Sequence, residues 1–350
     1  MKFNKIYLCL DMHGCPNRCR HCWLGAAPNG NMTKDDLISA VKAFRPYTDC
    51  LTADFWYREP DFSDDYKELY TLADSLSDTK REHFELVSFW RLTRDEDYVK
   101  WLSEIGLKKA QITLFGGEET TDFYVGRKGA YKEILKAIDI LLENKISVRL
   151  QSFVTKRNID EMGKVEKLIG ELDLEKRCGA FGGDFSFFLH NGSCDGENEK
   201  FYDVWVTPED LKKIPPALCE YTLKHFCKSD IKDVFGKTEK ELYEELINDS
   251  STLSYVENSP VFYVDGSFDV YPNVTAPAPY WRLGNLKSDG AEKILENYLN
   301  SKSTAQHTRL TVPIRDIVRA QGDKTSERLF AKGDYTELLL NRFCRKLLGG

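Results

Sequence analysis

Asp11-Met-His-Gly-Cys15-Pro-Asn-Arg-Cys19-Arg-His21-Cys22-Trp-Leu-Gly25 follows directly on a short apolar run, Ile6 to Leu10. Three residues separate Cys15 from Cys19, and two separate Cys19 from Cys22. Thiolates at this spacing can reach three corners of one iron–sulfur cube, because the backbone between them is short enough to wrap it. The fourth iron is then left without a protein ligand. An open coordination position distinguishes a metal centre that performs chemistry from one that only holds a fold. The alternative on the cysteines alone is a structural zinc knuckle, with His13 or His21 as the fourth tetrahedral ligand.

Outward from this loop, short apolar runs alternate with amphipathic helical patterns, which signals strands joined by helical crossovers. Lys5 to Leu10 reads as the first strand, with the cysteine loop at its C-terminal end, the edge where catalytic groups gather in such folds. Further strands are expected at Cys50–Ala53, Phe84–Phe89, Ala110–Leu114, Ser147–Phe153 and Asp184–Leu189. Helices are expected from Thr33 to Phe44, Ser63 to Leu76 and Ala130 to Glu143. A capping box at Thr93 should open a helix to Glu104, and Asn158 should cap one running to Ile169. Thr207-Pro208 and the capping box Thr238-Glu241 start a helical bridge. Val261 to Tyr271 then reads as a β-hairpin with an Asp-Gly turn, ahead of a helix at Ala291–Leu299.

The chain has 350 residues, 41% hydrophobic and 30% charged, an ordinary globular composition. Its 49 basic against 56 acidic residues give a net charge of -7, which argues against nucleic acid as the main partner, since non-specific affinity there comes from neutralised phosphates. The first apolar run is far too short for a signal-peptide core or a membrane span, so the expectation is a cytoplasmic protein with no membrane partner. Ten cysteines, three of them clustered and none behind a signal, look reduced and metal-binding.

The cysteine spacing followed by an aromatic residue resembles the signature of the radical S-adenosylmethionine (SAM) superfamily. The resemblance implies an α/β fold, a partial (β/α)6 TIM-like barrel, here with a small α+β C-terminal extension. It implies Cys15, Cys19 and Cys22 as ligands of one 4Fe-4S cluster whose open iron is chelated by SAM, with His21 on the adenine side. Trp56-Tyr-Arg-Glu-Pro60 stands where the family has Gly-Gly-Glu-Pro, which assigns the SAM ammonium group to Glu59, although Tyr57 and Arg58 replace both glycines. Gly116-Gly117-Glu118 is a second candidate for that motif. Arg127, ahead of Gly129 and Tyr131, matches the arginine that pairs with the SAM carboxylate, and Gln151, with Ser152, matches the ribose contact.

The hairpin region is similar to the twitch or SPASM extension of peptide-modifying members. Val270-Tyr271-Pro272 is followed there by a cysteine for an auxiliary cluster and here by Asn273, so the extension is expected to have lost its iron. The divisions expected are 1–206 for the barrel, 207–257 for the helical bridge and 258–350 for the extension. The function implied is reductive cleavage of SAM to a 5′-deoxyadenosyl radical that takes hydrogen from a substrate, with a flavodoxin- or ferredoxin-type reductant. The substrate is expected to be a peptide, against dehydrogenation, dehydration or epimerisation of a small molecule such as an aminosugar or nucleoside. A non-catalytic metal-binding protein is the third reading. Without a second cluster the product radical needs a hydrogen donor or a redox-neutral fate, and of Cys178, Cys194, Cys219 and Cys227 the best placed is Cys194.

Overall fold

The computed structural model describes residues 2–22, 24, 28–55, 59–253, 256–272 and 277–349. The tripeptide Trp56 to Arg58 and Asn273 lie outside the described residues. Strand β1 (Ile6–Leu10) is apolar throughout and buried, and it pairs in parallel with β2 (Leu51–Asp54). Helix α1 (Lys34–Phe44) crosses between them, opened by a capping box in which Thr33 and Asp36 satisfy each other's backbone N–H. Helix α2 (Tyr66–Leu76) follows β2. Helices α3 (Phe89–Leu92) and α4 (Glu96–Glu104) then lead to β3 (Lys109–Thr113). Helices α5 (Glu118–Val125) and α6 (Ala130–Glu143) lead to β4 (Ser147–Phe153), and α7 (Met162–Glu171) and α8 (Leu174–Gly179) to β5 (Ser186–His190). Strands β3, β4 and β5 form a parallel three-stranded sheet in that order. This is the partial barrel with parallel βα units.

Three expectations in the barrel need correction. Phe84–Phe89 is not a strand: only Leu86 bridges to Gln111, supported by Gln111 N–H donating to the Glu85 carbonyl at 2.7 Å. The backbone there is held by side chains instead, the His83 ring meeting the Phe84 carbonyl at 2.6 Å and the Ser88 N–H donating to the Tyr98 hydroxyl at 3.2 Å. Thr93 does not cap α4, because Phe89–Leu92 form a turn of helix that ends at Thr93; Asp95 is the cap, accepting from Asp97 N–H. Asn158, fully buried, is a loop clamp: its amide donates to the carbonyls of Phe115 (2.9 Å) and Phe153 (2.8 Å), and a 3-10 turn at Ile159–Glu161 precedes α7.

Beyond β5, α9 (Pro208–Leu211) starts at Thr207-Pro208 as expected, with Thr207 and Asp210 forming a capping box as well, and α10 (Pro216–Phe226) packs against β5. Thr238 caps the next long helix, Glu239–Leu246. A two-residue pair, β6 (Lys237–Thr238) with β10 (Leu329–Phe330), ties this region to the C-terminal helix Lys332–Leu347. The hairpin is β7 (Val261–Val264) and β8 (Asp269–Pro272), followed by β9 (Gly284–Asn285). Its turn is a three-residue loop rather than a two-residue Asp-Gly turn: the Asp265 carboxylate accepts from Ser267 and Asp269 N–H, and Phe268 takes φ 69°. Strand β7 pairs in parallel with β1, giving the order β2-β1-β7-β8-β9, so the extension continues the barrel's first sheet and backs the strand that delivers the cysteine loop. One core lies around β3–β5, and a second around β1, β2 and β7 under α1 and the helix Gly290–Leu299. Among the described residues, no helix is long and apolar enough to cross a membrane.

Candidate active site

The chain leaves β1 with Asp11 buried and turns at Gly14, whose φ of 88° and contact with Asn29 leave no room for a side chain: a Cβ there would sit 2.2 Å from Asn29 Cγ. Asn29 Oδ1 in turn accepts from Cys15 N–H at 3.2 Å, and Arg18 donates to the Cys15 carbonyl at 3.0 Å. Cys22 N–H closes a turn on the Cys19 carbonyl. The far side of the loop is laced to the end of α5, Arg18 N–H to the Val125 carbonyl and Arg20 N–H to that of Tyr124. The loop is thus fixed at both rims before any ligand arrives.

Cys15, Cys19 and Cys22 all line one cleft of about 430 Å³ at the C-terminal ends of the barrel strands, together with Asn17, His21, Glu59, Phe115, Gln151, Phe153 and Ser193. Burial, with Glu59 and the neighbouring thiols adding to it, pushes the Cys15 thiol well above its ordinary value. Burial and Cys22 do the same to Cys19. Three thiolates beside a carboxylate cannot all be charged here without a compensating polycation, which is what an iron–sulfur core supplies.

His21 lies between the rings of Phe115 (4.8 Å) and Phe153 (4.5 Å). Burial, helped by His190, drops its pKa to about 3, so it is a neutral imidazole, and its buried Nδ1 has no hydrogen-bond partner. His21 as a residue lines the cleft, so its unpaired nitrogen leaves a hydrogen bond for a polar ligand to complete. Glu59 accepts from the Ser88 hydroxyl at 3.0 Å, and burial, reinforced by Asp61 against that bond, raises its carboxyl to about 8. A ligand cation would restore its charge. The rival Glu118 pairs with Lys132 at 2.9 Å and lines a groove on the outer face instead.

Arg127 does not line the cleft but is bonded to residues at its edge, donating from Nε to Asn17 Oδ1 (2.9 Å) and from its NH2 group to Glu133 (2.6 Å), with its guanidinium 5.6 Å from the Phe89 ring centre. Gln151 donates to Thr113 Oγ1 at 2.7 Å and lies 3.3 Å from His190 Nε2. Cys194 is not brought to the cleft: it is 3% exposed in the main core, and its neighbour Ser193 is the residue that faces the site. The expectation of a thiol there misses because the chain turns at Gly192, with φ 74°, and bends again at Cys194, which carries Ser193 to the cleft and Cys194 into the core.

Sequence reasoning also missed the support behind Glu59. His83 Nε2 lies 2.8 Å from Asp61 Oδ2 and its Nδ1 lies 2.6 Å from the Phe84 carbonyl. Both partners only accept, so the ring carries both protons and is an imidazolium facing a carboxylate. Tyr98 donates to the same Asp61 oxygen and accepts from Ser88 N–H, while Ser88 Oγ holds Glu59. A continuous relay therefore runs from His83 to Glu59. Although burial works against it, Asp61 and the Phe84 carbonyl raise the His83 pKa above 6.5. A raised folded-state value contributes stability in full below about pH 6.5 that is lost as pH climbs through the folded pKa. Urea midpoints should accordingly show a stability gap between wild type and His83→Gln at pH 6 that narrows by pH 9; a gap independent of pH would contradict the imidazolium.

The Radical SAM superfamily model matches residues 10–169, the stretch from the end of β1 to α7. The sporulation killing factor maturation protein SkfB of Bacillus subtilis is 36% identical over 100 residues, covering 29% of this chain and 23% of the relative. An Fe-coproporphyrin III synthase of Methanosarcina barkeri is 30% identical over 84 residues, covering 24% of this chain and 21% of the relative. These matches therefore span less than a quarter of either relative's length. The solved structure of anSMEcpe with bound AdoMet and a Cp18Cys peptide superposes with a TM-score of 0.53 at 17% identity, covering 98% of this chain and 99% of that one. That likeness extends through the hairpin and the C-terminal helices, so it concerns the whole fold. The stretch matched by the superfamily model begins at the last residue of β1, the strand that delivers the three-cysteine loop, and spans a little under half of the chain.

Proposed function

We propose that this chain is a radical SAM enzyme that modifies a peptide. The observation that carries the reading is the convergence of Cys15, Cys19, Cys22, Glu59 and His21 on one cleft. Cys15, Cys19 and Cys22 would hold the cluster, which with SAM bound supplies a 5′-deoxyadenosyl radical able to take hydrogen from an unactivated carbon. Glu59, held by Ser88, receives the ammonium group of SAM. Arg127, bonded through Nε to Asn17 of the cleft wall, would pair with the carboxylate from the cleft's edge. His21, neutral and flanked by Phe115 and Phe153, packs on the adenine, and Gln151 reaches the ribose. The apolar wall formed by Leu86, Val87, Phe89, Ile112, Phe115 and Phe153 excludes water from the reacting atoms.

A peptide is favoured because the SkfB relative is named a maturation protein of a killing factor and the anSMEcpe structure holds a peptide. A small-molecule substrate is the second reading, and the end of the Val270-Tyr271-Pro272 run without a following cysteine favours it. A cytoplasmic location and a flavodoxin- or ferredoxin-type donor belong to the same proposal. The test is anaerobic reconstitution, then SAM and dithionite with candidate peptides. 5′-Deoxyadenosine together with a mass change in a peptide is expected; iron-loaded protein that forms no 5′-deoxyadenosine overturns the reading. Glu59→Gln should weaken SAM binding about 10- to 100-fold by equilibrium dialysis, the loss of one charge-assisted contact of roughly 1.5–3 kcal/mol.

A further inference from the structure

The C-terminal extension stays in close contact with the root of the cysteine loop, although its Val270-Tyr271-Pro272 run has no cysteine behind it. Strand β7 pairs with β1 as far as Leu10 and Val264, and one step further the Asp11 N–H donates to the Val264 carbonyl at 3.0 Å. The Tyr263 hydroxyl donates to Asp11 Oδ2 at 3.1 Å, and both residues are buried. The tip of the hairpin lies on the returning limb of the same loop: a Cβ on Gly266 would sit 2.9 Å from Gly30 Cα, and a Cβ on Gly30 would sit 1.9 Å from the Asp11 carbonyl oxygen. Three stretches of backbone are thus stacked with no side chain between them, an approach that only glycine permits at these two positions.

From these two contacts the path to Cys15 is short. Gly30 follows Asn29, whose Oδ1 accepts from the Cys15 N–H and whose amide donates to the Cys15 carbonyl at 3.3 Å. Asp11 precedes Met12, whose carbonyl takes the Met32 N–H at 2.9 Å and closes the loop at its root. The tip is itself held: the Asp265 carboxylate accepts from two backbone N–H groups across the turn and from the Tyr271 hydroxyl at 3.3 Å. Phe262, next to Tyr263 on β7, points to the other face of the sheet and into the second core, where its ring meets those of Phe44 and Tyr298.

We infer that Tyr263 and Gly266 are positioning residues for the iron–sulfur site: the hairpin, with no cysteine of its own, sets the place of Cys15 by gripping Asp11 and Gly30 on the two limbs of the loop. The inference rests on the cofactor reading above. Neither residue lines the cleft, so each acts through a neighbour in the loop. Ligands of a metal site need to be held within about 0.5 Å of their productive place by the residues behind them. A methyl group at position 266 would press on Gly30 Cα, and the limb that carries Asn29 would have to shift. Loss of the Tyr263 hydroxyl would take a hydrogen bond from the buried Asp11 carboxylate, four residues ahead of Cys15.

The test compares wild type with Gly266→Ala, with the conservative Tyr263→Phe and, as a control on the other face of the same strand, with Phe262→Leu. In the metal-free proteins, hydrogen exchange of the peptide covering residues 13–22 should be about tenfold faster in Gly266→Ala and Tyr263→Phe than in wild type, and unchanged in Phe262→Leu. After anaerobic reconstitution, iron release to a ferrous chelator should be about tenfold faster in the first two variants. The electron paramagnetic resonance spectrum of their reduced cluster should shift as well, while the control keeps the wild type's rate and spectrum. Wild-type exchange, release and spectra in both variants would overturn the positioning role. Equal changes in Phe262→Leu would overturn it too, since general loss of stability would then explain them. If wild-type protein takes up no 4Fe-4S cluster, the cofactor reading itself has failed, a result distinct from either, and exchange in the metal-free chain still decides whether the hairpin grips the loop.

Discussion

Cys19→Ala is expected to leave a folded chain that cannot retain its cluster: iron content falls to background after anaerobic reconstitution and 5′-deoxyadenosine formation drops by more than about 10³-fold. Cys19 is partly exposed at the cleft and its thiol is pushed up by burial and by Cys22, so removing it relieves crowding in the metal-free chain. Loss of an outer partner of a metal site typically costs about 10- to 100-fold, and loss of a ligand costs more. Among the described residues, Cys15 and Cys22 are the other cysteines that line the cleft; Cys9 is fully buried on β1, and Cys194 lies in the core behind Ser193. Thermal unfolding of the metal-free variant should match the wild type within a few degrees. Retention of four irons by Cys19→Ala would mean that another group closes the site.

Asp61→Ala is the second large effect, and it acts on the fold. Asp61 is 4% exposed and accepts from both His83 and Tyr98, and its carbonyl and that of Phe62 take the Arg91 guanidinium. Breaking one member of a buried pair strands the other charge, at a cost of about 3–5 kcal/mol. Urea denaturation of the metal-free chain should show that loss, with Asp61→Asn intermediate because its oxygen still accepts. SAM affinity should fall with it, since Ser88 and Glu59 are held through Tyr98 in the same relay. A loss below about 1 kcal/mol would show that the network contributes no rigidity.

Local signals in the chain were sufficient for the place of the cysteine loop after β1 and for most βα units. These depend on spacing, capping and periodicity within some twenty residues. The third strand was not legible, because whether Phe84–Phe89 pairs or bonds side chains is decided by Tyr98 and Asp61, which come from other elements. Asn17 escaped notice for the same reason: its partner Arg127 is 110 residues away. The hairpin was readable as a hairpin, but its attachment to β1 in parallel register requires knowing which barrel edge is open. Cys194 shows the limit of placing a side chain from its loop, since a single residue's shift sends Ser193 to the cleft and Cys194 to the core.

The most direct measurement of the central claim is electron paramagnetic resonance of the anaerobically reconstituted, dithionite-reduced protein, recorded with and without SAM labelled with ¹⁷O in its carboxylate. A reduced 4Fe-4S signal that shifts on adding SAM and shows hyperfine coupling to the label is expected from a cluster held by Cys15, Cys19 and Cys22 with one iron open. A spectrum indifferent to SAM, or tetrahedral zinc at that loop, would contradict it.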